Sequence, residues 1–260
     1  MKRFLLGFVF FSVLVFIGPL SLMAEDYLSM ADELYEQGEI ENYKRSIDIY
    51  LKVLKETPNN YEANWKCARA YREYGEAIKK QAVEGWKKSC ARYGKEGMNY
   101  AEKAIEQCPD KPDGYYYYGL SVGIYSDGVS ILTALAEGLK GKTQSSLEKA
   151  YELDKMYNEA GPMLSLGRFW AVVPWPYKDR KKALSFYREY QKTQYFNEKA
   201  EGKIYIAEVL LALKGKENEE EAKALLKKAS QSDEKYFKDW AKRLLRKIED
   251  KGDEKEAISR

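Results

Sequence analysis

Bulky and small apolar residues recur at helical spacing along most of this 260-residue chain. In one series a small residue lies between two bulky ones at steps of three, which places all three on one face of a helix. The sets of this series are Trp65, Ala68 and Tyr71; Tyr116, Gly119 and Val122; Leu164, Gly167 and Trp170; and Ile204, Ala207 and Leu210. A small residue on such a face lets a neighbouring helix approach closely. Each set therefore predicts a helix that packs against a close partner.

A second series, at steps of four and three, alternates with the first along the chain. Its sets are Ser46, Tyr50 and Val53; Gly97, Ala101 and Ala104; Thr143, Leu147 and Ala150; Ala183, Tyr187 and Tyr190; and Ala222, Leu226 and Ala229. Turn-forming residues follow the first three sets, at 57–60, 108–112 and 153–155. The alternation predicts an all-α, right-handed superhelical solenoid of about four to five helical hairpins.

This alternation resembles the tetratricopeptide repeat (TPR), whose hairpins carry the same small and bulky positions. The hairpins of this chain are longer than the roughly 34 residues of that repeat. We predict that residues 75–96 lengthen both helices of their hairpin and that 124–142 contain an extra short helix. Residues 158–190 are predicted to form two helices hinged at 174–176, and the amphipathic segment 234–250 a capping helix.

The first 24 residues have the order of a secretory signal. Lys2 and Arg3 precede an apolar run that ends at Met23, and Ala24 precedes two acids. The apolar run is longer than is usual for a signal, so an uncleaved inner-membrane anchor is the alternative. We therefore divide the chain into a signal peptide or anchor (1–24), a repeat domain (25–250) and a charged, disordered tail (251–260), and we predict a periplasmic location.

The charge of the chain gives no reason to expect nucleic acid or an anionic membrane as a partner. The chain carries 44 basic and 41 acidic side chains, and residues 1–24 contribute Lys2 and Arg3 to the basic total. Without that segment the net charge is about +1, which provides no general attraction to phosphate groups.

The three cysteines, Cys67, Cys90 and Cys108, fall in one predicted hairpin. An oxidising compartment permits a disulfide between two of them, and the other interpretation is that they are small core residues. Their spacing matches no zinc site, and the chain has no histidine to complete one.

The residue inventory argues against an enzyme. The absence of histidine excludes Ser–His and Cys–His nucleophile systems. Residues 138–143 are too short for a phosphate-binding loop, and the carboxylates are spread over charged helix faces. We predict a non-catalytic protein with no cofactor and no metal.

Binding residues are predicted on the concave face, which the first helix of each stacked hairpin lines. The residue after each small position borders that face, and Arg72 lies one turn beyond Arg69. A guanidinium group pairs two carboxylate oxygens at once, so a sheltered arginine suits a carboxylate. The alternative for Arg168 is an ion pair with an acid of the neighbouring hairpin. The predicted groove and partner-binding residues are Arg69, Arg72, Tyr116, Leu120, Arg168, Trp170, Trp175 and Tyr177.

Two of these residues, Trp175 and Tyr177, lie on a short proline-flanked loop. An aromatic side chain on a rigid loop is a good interface anchor. The alternative is that Trp175 packs back onto its own hairpin.

A closer resemblance covers residues 90–230, which look like the T-component of tripartite TRAP transporters. Its most specific part is a Leu-Gly-Arg-aromatic element before a Pro-aromatic-Pro turn, at 166–176. The resemblance implies an exported solenoid that docks a periplasmic solute-binding protein and contacts its ligand. Members of that family are often lipoproteins and can form homo-oligomers, but no lipidation cysteine lies near residue 24 here.

These observations lead to one leading hypothesis and one alternative for function. The first is an exported, non-catalytic adaptor of the TRAP T-component type, whose partners are a solute-binding protein or other envelope protein and a small carboxylate or apolar ligand. The alternative is a scaffold for cell-envelope assembly that binds proteins and no small molecule.

Overall fold

The computed structural model describes residues 19–259, with side chains described for 24–250. Within these residues every regular element is a helix. In chain order the helices are α1 (Pro19–Glu36), α2 (Ile40–Glu56), α3 (Tyr61–Lys80), α4 (Trp86–Gln107), α5 (Pro112–Val129), α6 (Ile131–Ala136), α7 (Leu139–Leu153), α8 (Tyr157–Val172), α9 (Arg180–Tyr190), α10 (Tyr195–Glu198), α11 (Ala200–Leu213), α12 (Lys216–Ala229) and α13 (Lys235–Ser259).

Ten of these helices form five hairpins that stack in chain order. The hairpins are α1–α2, α3–α4, α5–α7, α8–α9 and α11–α12. We call α1, α3, α5, α8 and α11 the first helices and their partners the second helices. The short helices α6 and α10 lie in connections, and α13 packs on α11 and α12. The predicted solenoid with a capping helix is confirmed.

Small residues allow the two helices of a hairpin to approach closely. A Cβ atom built on Gly119 of α5 would lie 2.4 Å from Leu147 Cδ2 of α7. A Cβ atom on Gly167 of α8 would lie 2.2 Å from the ring of Tyr187 in α9. Every position of the second series is buried. The repeating pattern thus identified the contact faces correctly.

The two longest insertions take the predicted forms. Helices α3 and α4 are 20 and 22 residues long, because the extra residues extend both of them. The third hairpin contains the short helix α6, whose Ala134 is buried. The Tyr125 hydroxyl holds the end of α6 by donating to Glu137 Oε1 at 2.8 Å.

The predicted helix–turn–helix at 158–190 is confirmed as α8, a turn at 173–179 and α9. The start of α8 is irregular, since Asn158, Glu159 and Ala160 all have positive φ angles. Pro162 comes two residues after Ala160, and the first turn of a helix tolerates proline because its N–H groups have no intrahelical acceptor. The regular part of α8 therefore begins at about Gly161.

Helix α13 covers the last hairpin and also reaches the second one. Phe237, Ala241 and Ile248 are buried on its packed face, as the capping role predicts. At its start, Glu234 Oε2 lies 3.8 Å from Lys80 Nζ at the end of α3, and the same ammonium lies 4.7 Å from the centroid of the Phe237 ring. The helical stack therefore curls until its last helix meets α3.

Helices α1 and α13 overlap the predicted signal segment and the predicted tail. Residues 1–18 of the predicted signal segment lie outside the described residues, and Pro19–Glu36 already form α1. Among the helices that are described, none has the length and apolar character needed to cross a membrane. Helix α13 continues to Ser259, through most of the segment that was predicted to be disordered, 251–260.

All three cysteines are free thiols. Cys67 and Cys90 are buried, and Cys108 is partly buried at the end of α4. The Cys90 thiol donates to the Gly75 carbonyl oxygen at 3.4 Å. The interpretation of these residues as small core residues therefore fits the structure for Cys67 and Cys90.

Two equivalent tyrosines of the second series allow a matched stability test. Tyr50 donates its hydroxyl to Asp32 Oδ1 at 2.6 Å, whereas the buried Tyr187 hydroxyl has no partner in the described part of the chain. We expect Tyr50→Phe to lower the free energy of unfolding by about 1.5–3 kcal/mol, since it removes a hydrogen bond to a charged group. We expect Tyr187→Phe to be neutral or to stabilise by up to about 1 kcal/mol. Urea unfolding measures both, and an equal loss in the two variants would contradict this account.

Candidate functional site

The first helices bring a continuous row of polar and aromatic side chains together on one face, which we call the inner groove. Arg69 of α3 contacts Asp32 of α1, and Trp65 of α3 stacks on Tyr117 of α5. The row continues from α5 to α8 through ring contacts, and from α8 to α11 through an ion pair. The groove is therefore built by contacts between successive hairpins, which no single hairpin contains.

At the N-terminal end of the groove, Arg69 is held by a carboxylate and two rings. Its Nη2 atom lies 3.1 Å from Asp32 Oδ1, and its guanidinium carbon lies 3.7 Å from the centroid of Tyr35 and 5.1 Å from that of Trp65. The side chain is 13% exposed, and its buried Nε has no acceptor among the described residues. Arg69 thus keeps an unused donor beside aromatic surface.

In the middle of the groove, Arg72 lies among acidic side chains from two sides. It pairs with Glu73, and its side chain is 21% exposed. Burial by itself lowers the pKa of the Arg72 guanidinium, but Glu73, Glu76 and Glu201 reverse the effect and hold that pKa above its ordinary value. Glu201 belongs to α11, so its field reaches Arg72 across the groove. The Nε atom of Arg72 is also buried without an acceptor in the described chain.

At the C-terminal end, Arg168 of α8 forms the ion pair that was the alternative to ligand binding. Its Nη1 atom lies 2.8 Å from Glu208 Oε2 of α11. The guanidinium carbon also lies 4.5 Å from the ring centroid of Tyr205 and 5.8 Å from that of Trp240. Arg168 and Glu208 hold equivalent places in adjacent first helices, so the pair joins the fourth and fifth hairpins. The Arg168 side chain remains 36% exposed.

Tyr116 and Trp170 are core residues, which corrects their prediction as groove residues. Tyr116 is 5% exposed, accepts a hydrogen bond from Asn158 Nδ2 at 3.3 Å and packs against Gly161. Trp170 is buried, and its indole ring lies beneath the Lys182 ammonium at 3.9 Å. Both are bulky members of the repeating sets, so packing between the helices buries their side chains.

Leu120, Trp175 and Tyr177 have different surroundings from one another. Leu120 is partly buried beside the core of the third hairpin. Trp175 is 87% exposed in the turn between α8 and α9, so it does not pack back onto its hairpin. Tyr177 is exposed in the same turn, with the Lys140 ammonium 4.7 Å from its ring centroid. These two aromatic residues lie at an edge of the solenoid, outside the inner groove.

Several residues of the groove were missed from the sequence. Tyr35, Glu73 and Glu76 lie on α1 and α3, and Glu201 and Tyr205 on α11. A usable signal was the Arg72–Glu76 spacing of four, which places both side chains on one helix face. No local signal indicated that the charge of Glu201 would act on Arg72, because the curvature of the whole stack sets the separation of α3 and α11.

The part of the chain that the structure describes contains no group of three or more Cys, Asp or Glu side chains placed to hold a metal ion. The groove chemistry is that of paired guanidinium and carboxylate groups flanked by tyrosine and tryptophan rings. Such a surface can donate hydrogen bonds to carbonyl or carboxylate oxygens and can cover apolar side chains.

Solved structures that resemble this chain include TPR proteins. One is the TPR protein TTC0263 of Thermus thermophilus, with a TM-score of 0.59 and 18% identity over 85% of this chain and 99% of that one. Another is MamA, with a TM-score of 0.48 and 17% identity over 76% of this chain and 91% of that one. A third is YrrB, described as a TPR protein with an unusual peptide-binding site, with a TM-score of 0.44 and 18% identity over 85% of this chain and 96% of that one. The Thermus protein, at 18% identity, shows a shared fold.

No curated protein matches the chain. A family model matches residues 27–251, and it is the model for regulator of microtubule dynamics protein 1–3. That family differs from the transporter component that the sequence resembles. The match covers nearly all of the repeat domain and the cap. The chain therefore belongs to the regulator of microtubule dynamics protein 1–3 family, and its fold is a TPR-like solenoid.

Proposed function

We propose that this chain is an exported, non-catalytic interaction scaffold whose inner groove binds an extended segment of a partner protein. The observation that carries the proposal is the row of partly exposed guanidinium groups of Arg69, Arg72 and Arg168, with the rings of Tyr35 and Tyr205 beside the first and the last of them. A guanidinium group in a sheltered groove donates strong hydrogen bonds to carbonyl or carboxylate oxygens.

The remaining groove chemistry fits a polypeptide. An extended segment offers backbone carbonyl oxygens at regular intervals, and its apolar side chains can pack on the rings of Tyr35, Trp65 and Tyr205. The acids Glu73 and Glu201 disfavour a strongly anionic segment, since like charges in a sheltered groove repel. The best fit is therefore a segment of mixed charge with apolar side chains.

Two partners follow from the sequence. The resemblance to the TRAP T-component suggests a periplasmic solute-binding protein, whose carboxylate ligand would meet a groove arginine. The second candidate is a protein of cell-envelope assembly, bound without a small molecule. Both place the chain in the periplasm, and both depend on export by residues 1–24. The family description concerns microtubule dynamics and names no segment for the groove to bind.

Two arginines that form similar ion pairs, one inside the groove and one outside it, provide a test of the proposal. Arg168 joins α8 to α11 on the inner face, and Arg188 joins α9 to α12 through Glu221 on the second helices, with nearly equal exposure. We expect a pull-down from the native cell envelope with residues 25–260 to lose bound partner about tenfold in Arg72→Gln and Arg168→Gln, because each removes a charged donor. Arg188→Gln should keep the partner.

Mass spectrometry of the bound protein then distinguishes a solute-binding protein from an assembly protein. Thermal unfolding of each variant separates loss of binding from loss of fold. Equal recovery by the groove variants and Arg188→Gln, or no recovered protein with the unsubstituted chain, would contradict a binding role for the groove.

A further inference from the structure

The turns inside the hairpins lie together on one edge of the solenoid, because stacked hairpins run parallel to one another. We define the turn edge as the connections at 81–88, 127–140 and 173–181. Contacts at these connections, or within a turn of the flanking helices, join them in sequence. Lys79 Nζ lies 2.7 Å from Asp127 Oδ2, the backbone at Gly128 packs on Ala91, and Lys140 covers the ring of Tyr177. The three connections therefore form one continuous surface.

Most of the large apolar side chains that are exposed in the described residues are on this edge. Trp175 is 87% exposed and Leu132 is 65% exposed. The exposed apolar residues of the edge are Val83, Ile131, Leu132, Trp175 and Tyr177. The others are Tyr27 and Met30 on α1 and Met156 in the turn between α7 and α8, at the opposite edge.

Unpaired cations lie between these apolar residues. Five exposed basic side chains of the turn edge have no ion-pair partner in the described chain: Lys87, Lys88, Lys178, Arg180 and Lys181. Of the four acids of the edge, Asp127 pairs with Lys79, whereas Glu84, Glu137 and Asp179 form no ion pair among the described residues. Six basic side chains against these four acids give the edge a net charge of about +2, although the chain as a whole is nearly neutral.

We propose that the turn edge docks on the surface of an anionic lipid bilayer. Trp175 and Tyr177 would lie at the level of the headgroups, where tryptophan and tyrosine are enriched in membrane proteins. Lys178, Arg180 and Lys181 follow directly in sequence and would contact the headgroup phosphates. Each basic residue close to an anionic surface strengthens binding, and the attraction fades within about 8 Å at physiological salt, so the local cations decide it.

The arrangement favours a bilayer over a protein as the occupant. The residues that dominate a protein interface cluster at its packed centre, surrounded by contacts that exclude water. On the turn edge the apolar residues are at the tips of successive turns and alternate with cations. A headgroup layer accepts rings and basic groups at the same depth, which matches this alternation.

The test uses residues 25–260, so that the apolar segment 1–24 cannot contribute. Flotation with vesicles of phosphatidylcholine and about one-third phosphatidylglycerol should recover the chain, and vesicles of phosphatidylcholine alone should not. Binding should be lost in about 1 M salt, where the screening length falls to about 3 Å. Trp175→Ala should weaken binding about tenfold, and the triple variant Lys178→Gln, Arg180→Gln and Lys181→Gln by tenfold or more.

The matched controls are substitutions of the same kind on the opposite edge of the solenoid. The triple variant Lys52→Gln, Lys55→Gln and Lys155→Gln removes the same charge, and Met156→Ala removes an exposed apolar side chain. Both should bind within about twofold of the unsubstituted chain. Equal weakening by the two triple variants, or no vesicle binding at all, would overturn the proposal. Trp175-dependent capture of an identified protein without vesicle binding would assign the edge to a protein interface and would overturn it too.

Discussion

Replacement of Gly94 by alanine is expected to lower the free energy of unfolding by about 3 kcal/mol, the upper end of the usual cost of overpacking. Gly94 lies on α4 where that helix crosses α5. A Cβ atom there would lie 2.4 Å from the Tyr125 amide nitrogen and 2.8 Å from the Ser121 carbonyl oxygen. These are backbone atoms, so no change of rotamer can relieve the clash, and the two helices must separate.

The crossing of α4 and α5 has a second close approach, in which α5 supplies the glycine and α4 the contacted backbone. A Cβ atom on Gly128 of α5 would lie 2.3 Å from the Ala91 amide nitrogen of α4. Because α4 and α5 also join the second and third hairpins, their separation would weaken the whole stack. The expected fall in melting temperature is about 5–10 °C for a chain of this size.

Gly123 on the same helix α5 is the matched control for this prediction. It is exposed, and no atom lies within 4 Å of a Cβ atom built on it. Gly123→Ala should raise the free energy of unfolding by about 0.5–1 kcal/mol, because alanine loses less backbone freedom in a helix. Urea unfolding of both variants provides the comparison. A loss of less than about 1 kcal/mol in Gly94→Ala would show that α4 and α5 are further apart than in this structure.

The buried tyrosines are expected to unfold the chain between about pH 10 and pH 12. Nine tyrosines are buried in the part of the chain that the structure describes: Tyr50, Tyr71, Tyr74, Tyr116, Tyr117, Tyr118, Tyr125, Tyr187 and Tyr190. Burial raises the pKa of Tyr74 and of Tyr118 to about 12, and it raises the pKa of Tyr187 and Tyr190 as well. The folded chain therefore keeps these hydroxyls neutral where an unfolded chain ionises them.

The loss of stability at high pH follows from the number of protons that each state binds. Above about pH 10 the unfolded chain binds fewer protons than the folded chain, so stability falls as the pH rises. Each tyrosine with a folded pKa of about 12 removes about 1.4 kcal/mol for each pH unit in this window. Tyr74 and Tyr118 together remove about 3 kcal/mol by pH 11, a large part of the roughly 5–15 kcal/mol of a typical domain, and the other buried tyrosines with raised pKa values add to this loss.

Circular dichroism and tyrosinate absorbance recorded against pH measure this transition. The two signals should change together, because ionisation and unfolding are coupled. Tyr118→Phe should move the midpoint to higher pH, and Tyr177→Phe, in the exposed turn, should leave it unchanged. Helical signal that persists above about pH 12 would contradict the coupling.

The charge of the chain shows how a whole-sequence quantity can mislead. A net charge near zero gave no reason to expect binding to an anionic surface. In the structure the turn edge carries six basic and four acidic side chains, and five exposed basic side chains have no ion-pair partner among the described residues. Net charge sums over all surfaces, whereas binding depends on the charges within one screening length.

The site residues were predicted from helix faces, whereas their burial depends on the packing between hairpins. Arg69 and Arg168, each directly after a small residue, are partly exposed beside an acid of a neighbouring first helix. Tyr116 and Trp170 were assigned to the groove from their size, yet Gly161 of α8 packs on Tyr116, and Trp170 lies in the core of the fourth and fifth hairpins. A bulky residue on a two-sided helix can face either side, and only the neighbouring hairpin decides which.

The sequence by itself determined the repeating hairpins, their contact faces, the extra helix α6 and the cap, because side-chain size at steps of three and four is a local property of a helix. The tertiary structure alone decided that α13 returns to α3, that the charge of Glu201 on α11 acts on Arg72 of α3 and that the turns gather apolar and basic residues on one edge. These features depend on the angle between successive hairpins. Small angles set by many side-chain contacts accumulate along the stack, so no short stretch of sequence specifies where its ends meet.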